Sequence, residues 1–530
     1  MAIALGVFAA AVRAWWFVGD DAYISFRYAE ALATRGALEF NPGERVEGYT
    51  NFLWVVLLAA GIRLGAAPEV LAPWLGAAMS LAGLGVAAGL GRRLRGVKGP
   101  WTALDLAPAL LLAVTPEYGV WATSGLEGGT AATLVLAAIL AWLLGHVRSA
   151  GVLGALAGLT RPDALLPLGL FGAAWLGLRG FAAWRRGGVG AALRAAPWRR
   201  LAVGAALFVG PLAAHLAFRR IYYGAWLPNT WFIKAHGALL RESVGGPYVE
   251  AWARGVGMDL LWPLGFLVRG RHLVVALPIA GAAGYVWSVG GDFMAYGRLL
   301  VVGTALWGVL AAWLVADAVG LVARRWRPLA ALEAVIVVAV AAAVGARARE
   351  RWETDMGVAN GWVEGGRWEG VRAMARFAQQ RALVGRWMRE NLPEGTWISV
   401  GAAGALPYAS RLPAIDVYGL TDPQIARLPG LLPRSGPRNR PGHQIYAPLS
   451  YVRGRDPDLY CHLGMVTARP PGRATARGRG LGSAGRWACI HIEAAPAPRE
   501  PGGMLEPFYY CCLRPAGRAV GPFTDAPEGA

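Results

Sequence analysis

Twelve apolar runs, from Ala2–Val18 to Leu329–Val344, fill most of the first 346 residues. In hydrocarbon every backbone N–H and C=O must find its partner inside the protein, so such runs fold only as bundled helices. The 530-residue chain is 55% hydrophobic with a mean hydropathy of +0.39, too apolar for a soluble protein of this size. After about Arg347 the apolar runs stop and Pro- and Gly-containing polar sequence continues to Ala530. The expected fold is an α-helical polytopic membrane domain over residues 1–346 and an α/β domain outside the membrane over residues 347–530. In the second domain Gly370–Leu392 has helical periodicity, and Trp397–Val400 and Ala414–Tyr418 read as short buried strands. Its remainder is poorly patterned, with a basic, flexible stretch at Arg469–Gly485.

Arginines orient the bundle. They cluster at Arg92–Arg95, Arg148, Arg179–Arg200, Arg269–Arg271 and Arg324–Arg327, and the positive-inside rule puts all five clusters in the cytoplasm. The count alternates only if Asn51–Leu64 does not cross fully, which leaves about eleven spans. The N-terminus is then cytoplasmic and the C-terminal domain extracytoplasmic. The net charge of +19 resides in residues that flank apolar segments. Topology and the lipid bilayer account for it, and no nucleic-acid partner is implied. All four cysteines lie in the outer domain, where oxidation is allowed. At least one disulfide is expected, joining Cys461 or Cys489 to Cys511 or Cys512, since a vicinal bond is strained.

The same orientation gathers five polar loops on the outer face. The first, Gly19–Thr50, opens with Asp20 and Asp21 where an apolar run ends; these are the candidate catalytic carboxylates. They would alternatively serve as solvated acids at a helix start. Arg161 and Asp163 lie in TRPD, and Asp292 and Arg298 bracket a Gly-rich turn. Each arginine can grip a phosphate or close a local ion pair. Lys234 and His236 follow an aromatic stretch and suit either an anion or interfacial anchoring. Arg27, Glu127 and Asn229 complete the candidate substrate-binding set. No Walker, HExxH, CxxC or GxSxG motif occurs, and GAAG at Gly401–Gly404 lacks the full phosphate-loop fingerprint.

The stretches DDAYISFRYAEALA and GALEFNPGERVEGYTNFLW closely resemble the first outer loop of bacterial GT-C glycosyltransferases. The likeness is greatest to the terminal β-(1→2)-arabinofuranosyltransferases. ATSGLEGG, GLTRPDAL, YYGAWLPNTWFIKA, GGDFMAYGRLL and AIDVYGLTDPQIAR are similar to later motifs, in order, over most of residues 19–460. Gly128 and the Tyr296-containing turn depart from that pattern. The resemblance implies a multi-pass enzyme of the bacterial inner (plasma) membrane. It would transfer a sugar, arabinofuranose in the nearest relatives, from a polyprenyl-phosphate donor to a cell-envelope glycan or glycolipid acceptor, with inversion. Asp20 would be the base, Arg161, Lys234, His236 and Arg298 would face the leaving phosphate, and no nucleotide is needed. Whether the Asp pair also holds a divalent cation stays open. The competing class, a transporter or flippase for a lipid-linked sugar, would rest on internal repeats, and the halves show no self-similarity.

Overall fold

The computed structural model describes residues 1–185, 188, 190, 197–323, 332–429, 440–471, 485–496, 504–515 and 517–523, apart from the side chains of His236 and Met504. Arg186, Arg194, Arg324, Arg325, Arg327 and residues 472–484 of the basic stretch lie outside the described residues.

The chain opens with α1 (Ala2–Ala14), the first-loop helix α2 (Asp20–Arg35), the short α3 (Phe52–Arg63) and the long α4 (Pro68–Arg95). A bent pair follows, α5 (Ala103–Val114) and α6 (Pro116–Ala122), turning by 64° where Pro116 interrupts the ladder. Then come α7 (Gly128–Leu143), α8 (Val147–Thr160), α9 (Leu165–Arg185) and α10 (Trp198–Tyr222). Two short helices, α11 (Asn229–Ala235) and α12 (Gly246–Gly255), precede α13 (Leu273–Ser288), α14 (Val301–Ala323) and α15 (Glu333–Gly357).

Among the described residues four helices are long and apolar enough to cross a membrane, or five if the bent pair counts as one span. The apolar stretch of α14 is 89% buried and that of α10 only 6%, so α14 is the central post and α10 faces outward. Helix α3 has 12 residues, about 18 Å at 1.5 Å per residue, and is too short for a core of about 30 Å. The expected span Val256–Val268 is not a helix. Its helix ends at Gly255, Gly257 turns the chain at φ +77°, and only the 3₁₀ turn Trp262–Leu267 follows. The stretch nonetheless runs down α14: the Trp252 indole donates to Thr304 at 2.9 Å, the Trp307 indole to the Val256 carbonyl at 2.9 Å, and Arg271 and His272 reach Asp317.

Helix α15 runs unbroken through position 346 to Gly357 and carries the chain into the second domain. There α16 (Val371–Asn391) packs on a five-stranded sheet, with α17 (Ala405–Ser410) beside it. The strands are β1 (Ile398–Val400), β2 (Ala414–Asp416), β3 (Leu459–Thr467), β4 (Gly485–Ile492) and β5 (Phe508–Pro515), in the order β2-β1-β3-β5-β4. Pairs β1–β2 and β1–β3 are parallel; β3–β5 and β5–β4 are antiparallel. Three of these strands lie in the part of the chain that carries no clear sequence pattern. Two disulfides tie them together, Cys461–Cys512 from β3 to β5 and Cys489–Cys511 from β4 to β5.

The domain docks on the loop Gly19–Thr50 through buried polar groups. Arg27 donates to the carbonyls of Phe40 at 2.6 Å, Pro407 at 2.5 Å and Leu412 at 2.8 Å, and to Asn41 Oδ1 at 3.3 Å. Asn41 also receives the Ala414 amide at 2.9 Å. The Asn229 amide donates to the carbonyls of Gly419 at 2.7 Å, Leu420 at 3.0 Å and Asp422 at 3.2 Å.

Candidate active site

Helix α2 starts at Asp20, with Gly19 at the N-cap. The Gly19 amide donates to the Ser124 carbonyl at 3.0 Å, which pins the start of the helix to the turn between α6 and α7. The two aspartates leave that first turn in different directions, as positions about 100° apart must. Asp21 forms an ion pair with Arg298, whose Nε also donates to Asp292 at 2.6 Å. Asp20 points into the second domain, where the Ala405 amide donates to its Oδ1 at 2.9 Å. A Cβ on Gly404 would lie 2.5 Å from the Asp20 Cγ and closer still to its Oδ2, so only glycine lets this backbone lie against the carboxylate. Burial pushes the Asp20 carboxyl up to about 6, against the pull of the Ala405 amide and with added repulsion from Asp21.

A polar chain leads from α2 to the start of α9. Asn51 Nδ2 donates to Ser25 Oγ at 3.0 Å and to Glu127 Oε2 at 2.8 Å. Glu127 Oε1 receives Arg161 at 3.1 Å, and Arg161 grips Asp163 with two bonds of 3.0 and 2.7 Å. Lys234, on α11, lies in the field of Arg161, Asp163, Arg298 and Glu127, yet it has no ion pair among the described residues. Burial lowers its ammonium below the usual lysine range, and Arg161 adds to the effect.

Five loops distant in sequence thus deliver Asp20, Asp21, Glu127, Arg161, Asp163, Lys234, Asp292 and Arg298 to one end of the bundle. Arg27 and Asn229 are not in this cluster. Both belong to the domain contact, with their donors spent on backbone carbonyls and, for Arg27, on Asn41. The side chain of His236 lies outside the described residues.

Asp20 and Asp21 do not converge on a shared position, since one is held by a backbone amide and the other by a guanidinium. Among the described residues no group of three or more His, Cys, Asp or Glu is arranged to hold a metal ion.

The C-terminal domain adds residues that the sequence did not mark. Glu369 pairs with Arg440 at 2.9 Å, and burial together with the nearby Asp21 raises its carboxyl while Arg440 draws it down. The Arg440 guanidinium lies over Phe293, next to Asp292. Gly404 and Ala405 belong to the GAAG turn, whose only sequence signal was a short glycine motif after a strand. A cavity of about 360 Å³ lies between the start of α2 and α16, walled by Trp16, Phe17 and Tyr23 on one side and by α16 on the other, and Asp20 does not line it.

Residues 371–488 match the family described as Domain of unknown function (DUF8728). No curated protein matches the chain. Two solved structures share its architecture. ArnT from Cupriavidus metallidurans bound to undecaprenyl phosphate is 16% identical, with a TM-score of 0.53 and 98% of each chain covered. ArnT from the same organism in the apo state is 13% identical, with a TM-score of 0.51 and 96% of each chain covered. The chain has the GT-C fold, a polytopic helical domain followed by a strand-containing C-terminal domain.

Proposed function

We propose that this protein is a GT-C glycosyltransferase that moves a sugar from a polyprenyl-phosphate donor to a hydroxyl of a cell-envelope acceptor. The reaction lies at the outer face of the membrane. The observation that carries the reading is Asp20, held by the Ala405 amide at 2.9 Å with its carboxyl pushed up by burial to about 6, at the end of the bundle where Arg161, Arg298 and Lys234 gather and Lys234 has no ion pair among the described residues. A base tuned towards neutrality accepts a hydroxyl proton far better than an ordinary aspartate. The Ala405 amide on its Oδ1 fixes the orientation of the carboxyl. Arg161 and Arg298 are already paired with carboxylates, which leaves Lys234 as the first cation for an entering phosphate.

The step is a single displacement. The acceptor hydroxyl loses its proton to Asp20 and its oxygen attacks the anomeric carbon. The bond from that carbon to the phosphate oxygen breaks, and the electron pair leaves on polyprenyl phosphate. Lys234, with the two arginines behind it, offsets the charge that grows on that oxygen. Attack from the face opposite the phosphate inverts the anomeric centre. The likeness to a structure bound to undecaprenyl phosphate supports a donor of this class. The motif resemblance favours arabinofuranose as the sugar.

The test uses purified protein with polyprenyl-phosphate sugars and neutral oligosaccharides extracted from the native envelope. Wild-type protein should form product without nucleotide. Asp20→Asn should keep donor binding and lose at least about a hundredfold in transfer. Asp21→Asn should lose less, since its acid holds Arg298. Near wild-type transfer by Asp20→Asn would refute the assignment.

A further inference from the structure

The turn that carries Asp292 and Arg298 is held in a conformation that its own sequence disfavours. Tyr296 sits at φ +60°, in the left-handed region that a residue with a Cβ rarely adopts. A tyrosine stays there only when its surroundings over-determine the backbone. Tyr296 is also where this turn departs from the pattern of the glycosyltransferases it resembles. Its partners come from both domains. In the bundle, the Trp121 indole donates to the Tyr296 carbonyl at 2.7 Å. From the C-terminal side, the buried Asp355 accepts the Tyr296 hydroxyl on Oδ2 at 2.9 Å. Asp355 lies near the end of α15 and also receives the Val371 amide at 2.7 Å and the Arg372 amide at 3.2 Å. It thereby caps α16, whose N-cap residue, Gly370, has no side chain for that task. Two backbone bonds of 2.9 Å tie the turn to the same stretch, from the Glu369 amide to the Phe293 carbonyl and from the Ala295 amide to the Glu369 carbonyl. The Arg351 guanidinium covers the Tyr296 ring at 4.6 Å. Two residues on, Arg298 reaches Asp21 and Asp292.

We infer that Tyr296 is a positioning residue, whose hydroxyl on Asp355 locks the turn that aims Arg298 at the leaving phosphate. The inference rests on the reading of Arg298 as one of the cations behind Lys234. The C-terminal domain then holds both sides of the reaction. The Ala405 amide orients Asp20, while Asp355 and Glu369 set where Arg298 stands. Without the hydroxyl, Asp355 keeps its two amides and α16 keeps its cap, so the loss is confined to the turn. The left-handed backbone then relaxes and carries Arg298 from its place. Arg298 offsets a charge that grows only as the bond to phosphate breaks, so the cost falls on turnover rather than on binding.

The experiment compares Tyr296→Phe, Arg298→Gln and the double variant. Each is assayed for transfer from a polyprenyl-phosphate sugar to the native neutral oligosaccharide fraction, with thermal unfolding alongside. Tyr296→Phe keeps the ring under Arg351 and loses the hydroxyl alone. It should lower turnover roughly tenfold, with both KM values within about twofold of wild type. In the Arg298→Gln background it should cost less than about twofold, because two changes that act through one group do not multiply. Arg298→Lys takes the place of Arg298→Gln if the glutamine variant does not fold. Wild-type turnover by Tyr296→Phe overturns the inference. An equal loss in both backgrounds also overturns it, since the hydroxyl then acts through something other than Arg298. If Arg298→Gln is impaired while Tyr296→Phe is not, only this inference fails. If Arg298→Gln itself transfers at the wild-type rate, the reading of Arg298 as a phosphate cation fails instead.

Discussion

Replacing Gly404 by alanine tests whether the C-terminal domain is a working part of the catalytic centre. The added Cβ would lie 2.5 Å from the Asp20 Cγ, where carbon atoms in contact sit about 3.5–4.0 Å apart. The Asp20 carbonyl oxygen would lie closer still, so the turn itself must retreat from the start of α2 by roughly 1 Å. That stretches the bond from the Ala405 amide to Asp20 Oδ1 from 2.9 Å to about 4 Å, beyond hydrogen-bonding range. A misplacement of about 1 Å at a reacting group costs on the order of a hundredfold in rate, or about 2.7 kcal/mol of barrier. The domain should stay docked. Arg27 holds Pro407 and Leu412, Asn41 holds Ala414, and Asn229 holds the turn at Gly419–Asp422, all without Gly404. Turnover would be measured in detergent or nanodiscs with saturating donor, alongside polyprenyl-phosphate binding and thermal unfolding. The expected result is a turnover number about a hundredfold lower, with unchanged donor binding and a near-native melting temperature. A folded, donor-binding variant that turns over at the wild-type rate would refute the argument that this contact positions Asp20.

Lys234→Gln loses no ion pair among the described residues and removes a charge that burial and Arg161 disfavour more than Asp163 and Glu127 favour, so it should melt no lower than wild type while binding polyprenyl phosphate about 10–100-fold more weakly. Arg298→Ala, by contrast, strands Asp21 and Asp292 and should cost about 3–5 kcal/mol of stability; equal melting temperatures for the two variants would contradict the pairing. Transfer should depend on ionised Asp20, whose pKa is raised to about 6: the rate is full above that pH and falls about tenfold per unit below it, and an acid limb near pH 4 would exclude Asp20 as the base. Thiol titration of denatured, unreduced protein should find no free cysteine, because Cys461 is joined to Cys512 and Cys489 to Cys511; four free thiols would reject both bonds. Reporters fused after Val344 and Arg186 should read as extracytoplasmic and cytoplasmic respectively, and the reverse at either fusion would overturn the outward placement of the site.

Length and hydropathy are local quantities, and they sufficed for the apolar bundle, the helix at Val371–Asn391 and the carboxylate pair at the head of α2. Hydropathy misread Val256–Val268 because composition does not register where glycines break a ladder. The cysteines were legible for a reason that the sheet makes plain. Neighbours in a strand face opposite ways, so Cys511 meets Cys489 on one face of β5 and Cys512 meets Cys461 on the other. Strands β3, β4 and β5 were harder to see, since their stability comes from pairing across the chain rather than from a strong local pattern. The functional residues divide the same way. Their types and their shared end of the bundle could be read from loops and arginines alone. Their tasks could not. Arg27 and Asn229 have the chemistry of ligand-binding groups, but tertiary packing spends them on backbone carbonyls. Asp20 and Asp21 are adjacent in sequence, and what separates them is a glycine turn almost four hundred positions away that buries one, while Arg298 neutralises the other. A pKa is set by desolvation and by the charges within a few ångströms, and only the folded chain decides which groups those are.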